Sequence, residues 1–417
     1  MAENAVDQAT PAPVVRPVWL IVLTVFLPFA GGYFLSYLYR SLNAIIAPDL
    51  TAEIGLTAGD LGLLTAAYFF AFAAFQIPLG LLLDRFGPRR VQACLLLSAA
   101  AGALVFANGD DSVMLTVGRA MIGLGVAGGL MASFKAIVMW FPQHRWPLVN
   151  GLFLTCGGLG ALSATTPVEA LLQITDWRGL FVGLAAINVA VAAAIFFVVP
   201  ERRTGAEATA LRAALVSLGE IYRDAYFWRL APLSFFTLAA GLAFQGLWAG
   251  PWLKDVVGLG REGVASNLFW LAALLTAGFA LNGIVADLLT RRGVSLERVI
   301  GGGALLFLLA QIPLVLGWAP GLPLVWLGMG LLANITALNF PLLTRHFGPA
   351  LSGRSSTALN MLNFGCAFAT QYAIGAIIDL WPPVAEGAYA PVAYQVAFGV
   401  VLAAQVLAWL WFLRPTR

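Results

Sequence analysis

Three cationic side chains, Arg40, Arg119 and Lys135, interrupt otherwise apolar runs of the sequence. A charge inside a bilayer is costly and usually marks a functional site. The one carboxylate in such a run, Glu169, lies near the end of its run. Fixed positive charge without a mid-bilayer acid suits an anionic ligand, whose own charge offsets the desolvation cost. Arg40 is the leading candidate. Tyr33, Tyr37, Arg40 and Asn43 recur at three- and four-residue spacing and so share one helix face. That face offers a guanidinium fork for a carboxylate or phosphate, flanked by phenols and an amide. The competing reading is an arginine reaching for the outer interface, with about nine residues left before its run ends. Lys135 lies about two turns from the end of its run and reads equally as an anion contact or as an interface residue. On an undistorted helix Arg119 and Lys135 point roughly 160° apart, so they cannot both face one pocket. Arg119 is therefore assigned away from the ligand. Gln245, Trp248, Asn334, Asn360 and Asn363 would supply polarity from the second half of the chain. Each also reads as an interhelical hydrogen bond, the commoner fate of a membrane amide. His144 and His346 sit at the ends of apolar runs and read as solvated boundary residues.

The elements that must position these groups are membrane helices. Sixty per cent of residues are hydrophobic and 10% are charged, a balance that excludes a soluble domain of this length. Twelve stretches are long and apolar enough to cross a bilayer: 17–46, 59–83, 91–109, 113–140, 148–172, 178–200, 229–254, 266–287, 297–318, 323–345, 355–379 and 391–413. Loops on the side of the termini carry Arg85, Arg89, Arg90, Arg145, Arg291, Arg292 and Arg345 among others; the opposite loops hold only Arg178, Lys254 and Arg261. The positive-inside rule then places both termini in the cytosol. The expected fold class is an all-α membrane protein of twelve transmembrane helices in two pseudo-symmetric six-helix bundles, residues 17–200 and 229–413. Residues 1–16 read as a disordered cytoplasmic tail, 201–228 as a surface-lying cytoplasmic linker, and 414–417 as a second short tail. Cys94, Cys156 and Cys366 lie in apolar runs, which argues against disulfides and a metal cluster. No nucleotide loop, metal-ligand spacing or catalytic triad is visible. A transporter is therefore expected rather than an enzyme, with no cofactor and no nucleic-acid partner.

The halves look duplicated. Pro48-Asp49-Leu50, Gly55-Leu56, Gly80 and Asp84 recur as Pro251-Trp252-Leu253, Gly258-Leu259, Gly283 and Asp287 at one ungapped offset. Between the second and third stretches runs Gly80-Leu-Leu-Leu-Asp84-Arg85-Phe-Gly87-Pro88-Arg89-Arg90. It reads as a tight cytoplasmic turn: Gly80 lets helices approach, and Gly87 with Pro88 reverses the chain. Asp84 and Asp287, the latter followed by Arg291, are expected to exchange partners as the two halves move. The glycines of Cys156-Gly157-Gly158-Leu159-Gly160 would permit close packing of the fifth helix.

This loop resembles the signature loop of the major facilitator superfamily, with Pro88 where a basic residue is more usual. The first half is similar to the organic-anion group of that superfamily (the anion:cation symporters). The matching residues are Tyr39-Arg40 followed by Asn43 and Pro48, Gln76-Ile-Pro78-x-Gly80, and Lys135 before Trp140-Phe141-Pro142. The resemblance implies two parallel bundles with the substrate between them near the midplane. It also implies a carboxylate-binding Arg40, a basic residue at the position of Lys135, and a role in conformational coupling for Arg119. Proton-coupled members often carry acids where this chain has Tyr39 and Val126. Exchange, facilitated diffusion or another coupling ion is therefore expected over simple proton symport. The expected function is transport of a small organic anion across the cytoplasmic membrane by a monomer. The alternatives are an exporter of an apolar metabolite or drug by ion antiport, and a transporter-like sensor.

Overall fold

The computed structural model describes residues 17–142, 145–201, 216, 218–348, 351–384 and 388–414. The expected tail over 1–16, most of the linker, His144, the last three residues and the side chain of Asp84 lie outside the described residues. The chain is almost wholly helical. Its long helices are α1 (Val18–Ser41, continued by Asn43–Ile54), α2 (Ala58–Ala74 with Gln76–Leu83), α3 (Arg85–Ala107) and α4 (Ser112–Trp140). Next come α5 (Trp146–Ser163, continued by Thr166–Leu171) and α6 (Trp177–Val198). The second half holds α7 (Ala225–Asp255), α8 (Arg261–Arg291), α9 (Leu296–Leu316), α10 (Ala319–Phe347), α11 (Arg354–Ile378) and α12 (Pro391–Phe412). Ten of these are individually long and apolar enough to cross a bilayer; α2 qualifies only as two pieces bent by 42°, and the apolar part of α5 is shorter.

Local chemistry explains the boundaries. Thr57 and Asp60 form a reciprocal capping box at the start of α2, and Asp111, Asp176, Asp224 and Ser295 cap α4, α6, α7 and α9. Near the start of α3 the chain kinks at Gly87, whose φ of 77° is open to glycine and costly for other residues. Two helices are irregular where they face the centre of the molecule. α7 widens to a π turn over Phe244–Trp248, and α10 tightens to a 3₁₀ turn over Ile335–Leu338. Such departures release backbone from regular pairing and are common at functional sites.

Within the first half α3 packs on α4 and α6, and α1 on α5; in the second, α7 packs on α11 and α12. The halves meet along α2–α11, α5–α8 and α1–α7. In α5 the small residues act as expected: Gly157 lies against the Tyr33 ring, Gly160 against the Phe34 carbonyl, and Gly158 against Thr276 of α8. The last turn of the linker docks Leu218 and Ile221 into a core with Phe227, Ile300, Leu359 and Phe412.

The close approach expected at Gly80 is absent in this conformation. A Cβ there would meet nothing within 4 Å, and the same holds at its counterpart Gly283. The tight approaches of backbone to backbone between the halves lie at the other end of the bundle. A Cβ on Gly375 of α11 would sit 2.5 Å from the carbonyl oxygen of Ala58 in α2, and one on Gly250 of α7 would overlap the Ala44 carbonyl of α1.

Candidate functional site

A cavity of about 540 Å³ opens between the halves, lined by α1, α2, α4 and α5 on one side and α7, α8, α10 and α11 on the other. Its size is ordinary for a small-molecule site. Arg40 lies in its wall, 9% exposed. The guanidinium stands over three rings, Tyr37 at 4.6 Å, Phe364 at 5.4 Å and Phe72 at 5.6 Å. Its Nε is buried without a hydrogen-bond partner. Ring faces attract a cation but offer no fork-matching acceptor. Among the described residues no Asp, Glu, Lys or His lines this cavity, so Arg40 is its one full charge.

Of the other residues expected at the ligand, Tyr33, Tyr37, Gln245, Asn334, Asn360 and Asn363 all reach the cavity. Asn363 presents a buried Oδ1 with no partner. Three expected residues do not reach it. Asn43 turns to α2, where its Nδ2 donates to Thr65 Oγ1 at 2.6 Å. It lies beyond Arg40 toward the closed end, where α1 and α2 touch. Trp248 is wholly buried behind the wall, beside Gly62 of α2. Lys135 is directed to the end of α2, where its Nζ donates to the Leu83 carbonyl at 2.9 Å. The side chain is long enough to leave the cavity for a helix C-terminus, whose carbonyls favour a cation.

Arg119 lies outside the cavity, as does Lys135, so the angle between them does not by itself select which one leaves. Arg119 is 1% exposed, donates to the Tyr39 carbonyl of α1 at 3.0 Å, and lies over Phe106 and Phe181 of α3 and α6. Tyr39 itself faces α6, where its hydroxyl accepts from Asn188 Nδ2 at 2.6 Å. Val126 does line the cavity, so the wall is apolar at that position. In the α2–α3 turn Arg89 donates to the Phe196 carbonyl at 2.7 Å, Arg90 pairs with Glu201 at 2.5 Å, and Arg85 lies over Phe86. Asp287 pairs with Arg291 one turn along α8 at 2.9 Å, both side chains being more than half exposed. Such a pair contributes a few tenths of a kcal/mol at most. His346 bonds Asp224 at 3.0 Å and stacks on Tyr226, at the exposed start of α7.

At the closed end the structure assembles a set of ionic contacts that sequence reasoning missed. Arg261, on α8, forks onto Asp49 of α1 at 2.7 and 2.8 Å and donates through Nε to Glu169 of α5 at 2.6 Å. The Glu169 side chain is 7% exposed. Asp379, after α11, accepts from the backbone amides of Ala58 and Gly59 at the start of α2. The bridging polar contacts found between the halves among the described residues lie at this end. Glu169 carried the one available signal, a lone acid in an apolar run; its partner stood outside every span.

Residues 29–371 match the Major Facilitator Superfamily. A probable sulfoacetate transporter of Cupriavidus necator is 28% identical over 157 residues, 38% of this chain and 36% of that protein, so the match spans about a third of its length. A hexuronate transporter of Escherichia coli is 27% identical over 313 residues, 70% of this chain and 71% of that one. Among solved structures, a bacterial homolog of the human lysosomal transporter Spinster, inward-facing and occupied, superimposes with a TM-score of 0.73 at 18% identity, covering 93% of this chain and 95% of that one. A D-xylose–proton symporter gives 0.72 at 16% identity over 96% and 98%. These structural likenesses carry the fold; the family match over most of the chain shows that it belongs to the Major Facilitator Superfamily, a family of transporters.

Proposed function

We propose that the chain carries a small organic anion across the cytoplasmic membrane by alternating access, as a secondary active or facilitative transporter. The observation that carries this reading is Arg40: a buried guanidinium in a cavity wall, ringed by aromatics, with no carboxylate among the described lining residues. Desolvating an unpaired cation costs several kcal/mol, and a bound carboxylate, sulfonate or phosphate offsets that cost with a bidentate pair. The sulfoacetate and hexuronate transporters, both named for anions, support the same class. With the arginine-rich loops in the cytosol and both termini there, the end closed by Arg261 and Asp379 is the outer one, and this conformation faces inward. Apolar Val126 and the buried Tyr39 favour exchange or facilitated movement over proton coupling through those two positions.

The test is counterflow or uptake in proteoliposomes with wild type, Arg40→Lys and Arg40→Ala. Losing a charge-assisted pair of about 1.5–3 kcal/mol lowers apparent affinity by about one to two orders of magnitude in Arg40→Ala. Unchanged transport of every carboxylate, sulfonate and phosphate by Arg40→Ala would favour the apolar-exporter alternative instead.

A further inference from the structure

We infer that the anion this cavity accepts is a monoanion with an apolar body, such as an aryl or alkyl carboxylate or sulfonate, and not a polyhydroxylated sugar acid. The inference rests on the anion reading of Arg40 and adds what lies around it.

The first point is charge count. Arg40 is the single full charge among the described lining residues, and Lys135 is spent at the Leu83 carbonyl. One guanidinium balances one anionic group; a second would be buried unpaired.

The second point is what the atoms next to the anion would touch. Phe72 and Phe364 stand 4.4 Å apart, centroid to centroid, and both flank the guanidinium. A carboxylate on Arg40 therefore has its first carbons against ring faces. A hydroxyl placed there exchanges water for hydrocarbon and is disfavoured when left unbonded. A methylene or aryl ring placed there is favoured by its own removal from water.

The third point is the state of the polar lining. Gln76 already gives its Nε2 to the carbonyls of Phe72 and Ala127, and Thr276 gives its hydroxyl to Ala272. The amides of Gln245, Asn334, Asn360 and Asn363 remain on the second half, and the phenols of Tyr33 and Tyr37 stand on the Arg40 side. Leu130, Phe134, Leu242, Leu275 and Phe279 line the same cavity. Apolar residues outnumber the polar ones around the cavity, so an apolar body finds more contacts there than a chain of adjacent hydroxyls does.

The experiment uses the full chain, purified and reconstituted. Affinities are measured by competition and by thermal shift for 3-phenylpropionate, octanoate and benzenesulfonate, for D-gluconate and D-glucuronate, and for neutral 3-phenylpropanol. The expected result is that at least one apolar anion binds tenfold or more tighter than either sugar acid and than the neutral alcohol. Phe279→Asn, at a partly exposed cavity position, is expected to weaken the apolar anion by several-fold and leave the sugar acids unchanged or improved. Sugar acids that bind as well or better, with the same loss in Arg40→Ala, overturn this inference and leave the anion reading standing. A neutral alcohol that binds as well as 3-phenylpropionate, with no loss in Arg40→Ala, overturns the anion reading itself. A panel in which no apolar anion binds also overturns the inference.

Discussion

The carboxylate of Asp379 caps a helix in the opposite half of the molecule. Its Oδ2 accepts from the Gly59 amide at 2.6 Å and its Oδ1 from the Ala58 amide at 3.1 Å. Helix α2 already has its own cap in Thr57, so this second acceptor adds little that the helix itself needs. It meets first-turn amides where the helix dipole favours an anion, and it holds only while the halves are closed at that end.

Asp379→Asn keeps the side-chain shape and removes the charge, losing about 1 kcal/mol or more of closure. The conformational equilibrium is expected to shift several-fold toward opening at that end. Ser41, 5% exposed on α1, reports this as a cysteine in a background lacking Cys94, Cys156 and Cys366. Impermeant maleimide applied from outside labels it faster in Asp379→Asn; an unchanged rate would show that the cross-half cap does not hold the closure.

Arg261 makes the second bond across the seam. Arg261→Gln leaves Glu169, with Oε2 already unpartnered, buried without its cation. Removing one partner of a buried pair is destabilising, here less than in a dry core because Arg261 is 40% exposed. The expected outcome is faster labelling at the same cysteine and lower transport, with Glu169→Gln restoring part of both in the double variant. A double variant as impaired as the sum of the singles argues that the two residues act independently.

The third restraint is steric. Gly375→Ala puts a methyl against the Ala58 backbone carbonyl, which cannot move aside without separating α11 from α2. It is expected to impair transport and open the seam. Gly80→Ala meets nothing within 4 Å here and is expected to leave this conformation intact. Any loss in Gly80→Ala must then arise in the opposite conformation. Equal labelling of the two variants would sink the distinction.

These contrasts bear on what the sequence made legible. Helix positions were readable because a bilayer forces every span into one long apolar run, and Gly87 fixes its kink whatever the conformation. The Tyr33–Tyr37–Arg40 face was readable because helical spacing alone aligns it. Asn43, one turn further, shares that face but meets Thr65, since α2 closes over α1 beyond Arg40. Lys135 departs through the length of its own stem, which spacing does not encode. The seam of Asp49, Glu169, Arg261 and Asp379 was not readable, because its members come from four helices of two halves and meet only through tertiary packing. Gly80 was assigned a close approach that belongs to no contact in this conformation, since one sequence serves two packings.

At the opposite end, Asp224 caps α7 through the Phe227 amide at 2.8 Å and bonds His346 at 3.0 Å. Burial pushes its carboxyl up, but the His346 hydrogen bond, the Phe227 and Tyr226 amides and the His346 charge outweigh it and hold the group below the ordinary carboxylate value. A carboxyl with a depressed folded pKa contributes stability that is present above its unfolded value, near 4, and is lost as pH falls through the folded one. Asp224→Asn retains a competent N-cap, so its cost of about 0.5–1 kcal/mol isolates the charge. Melting of the detergent-purified protein is expected to separate wild type from Asp224→Asn by about 1 °C at pH 7. The gap should narrow as the pH falls below 4 and close once it has passed the depressed folded value, where both side chains are neutral. A gap that stayed constant or widened in acid would mean that the ionised carboxylate does not stabilise the start of α7.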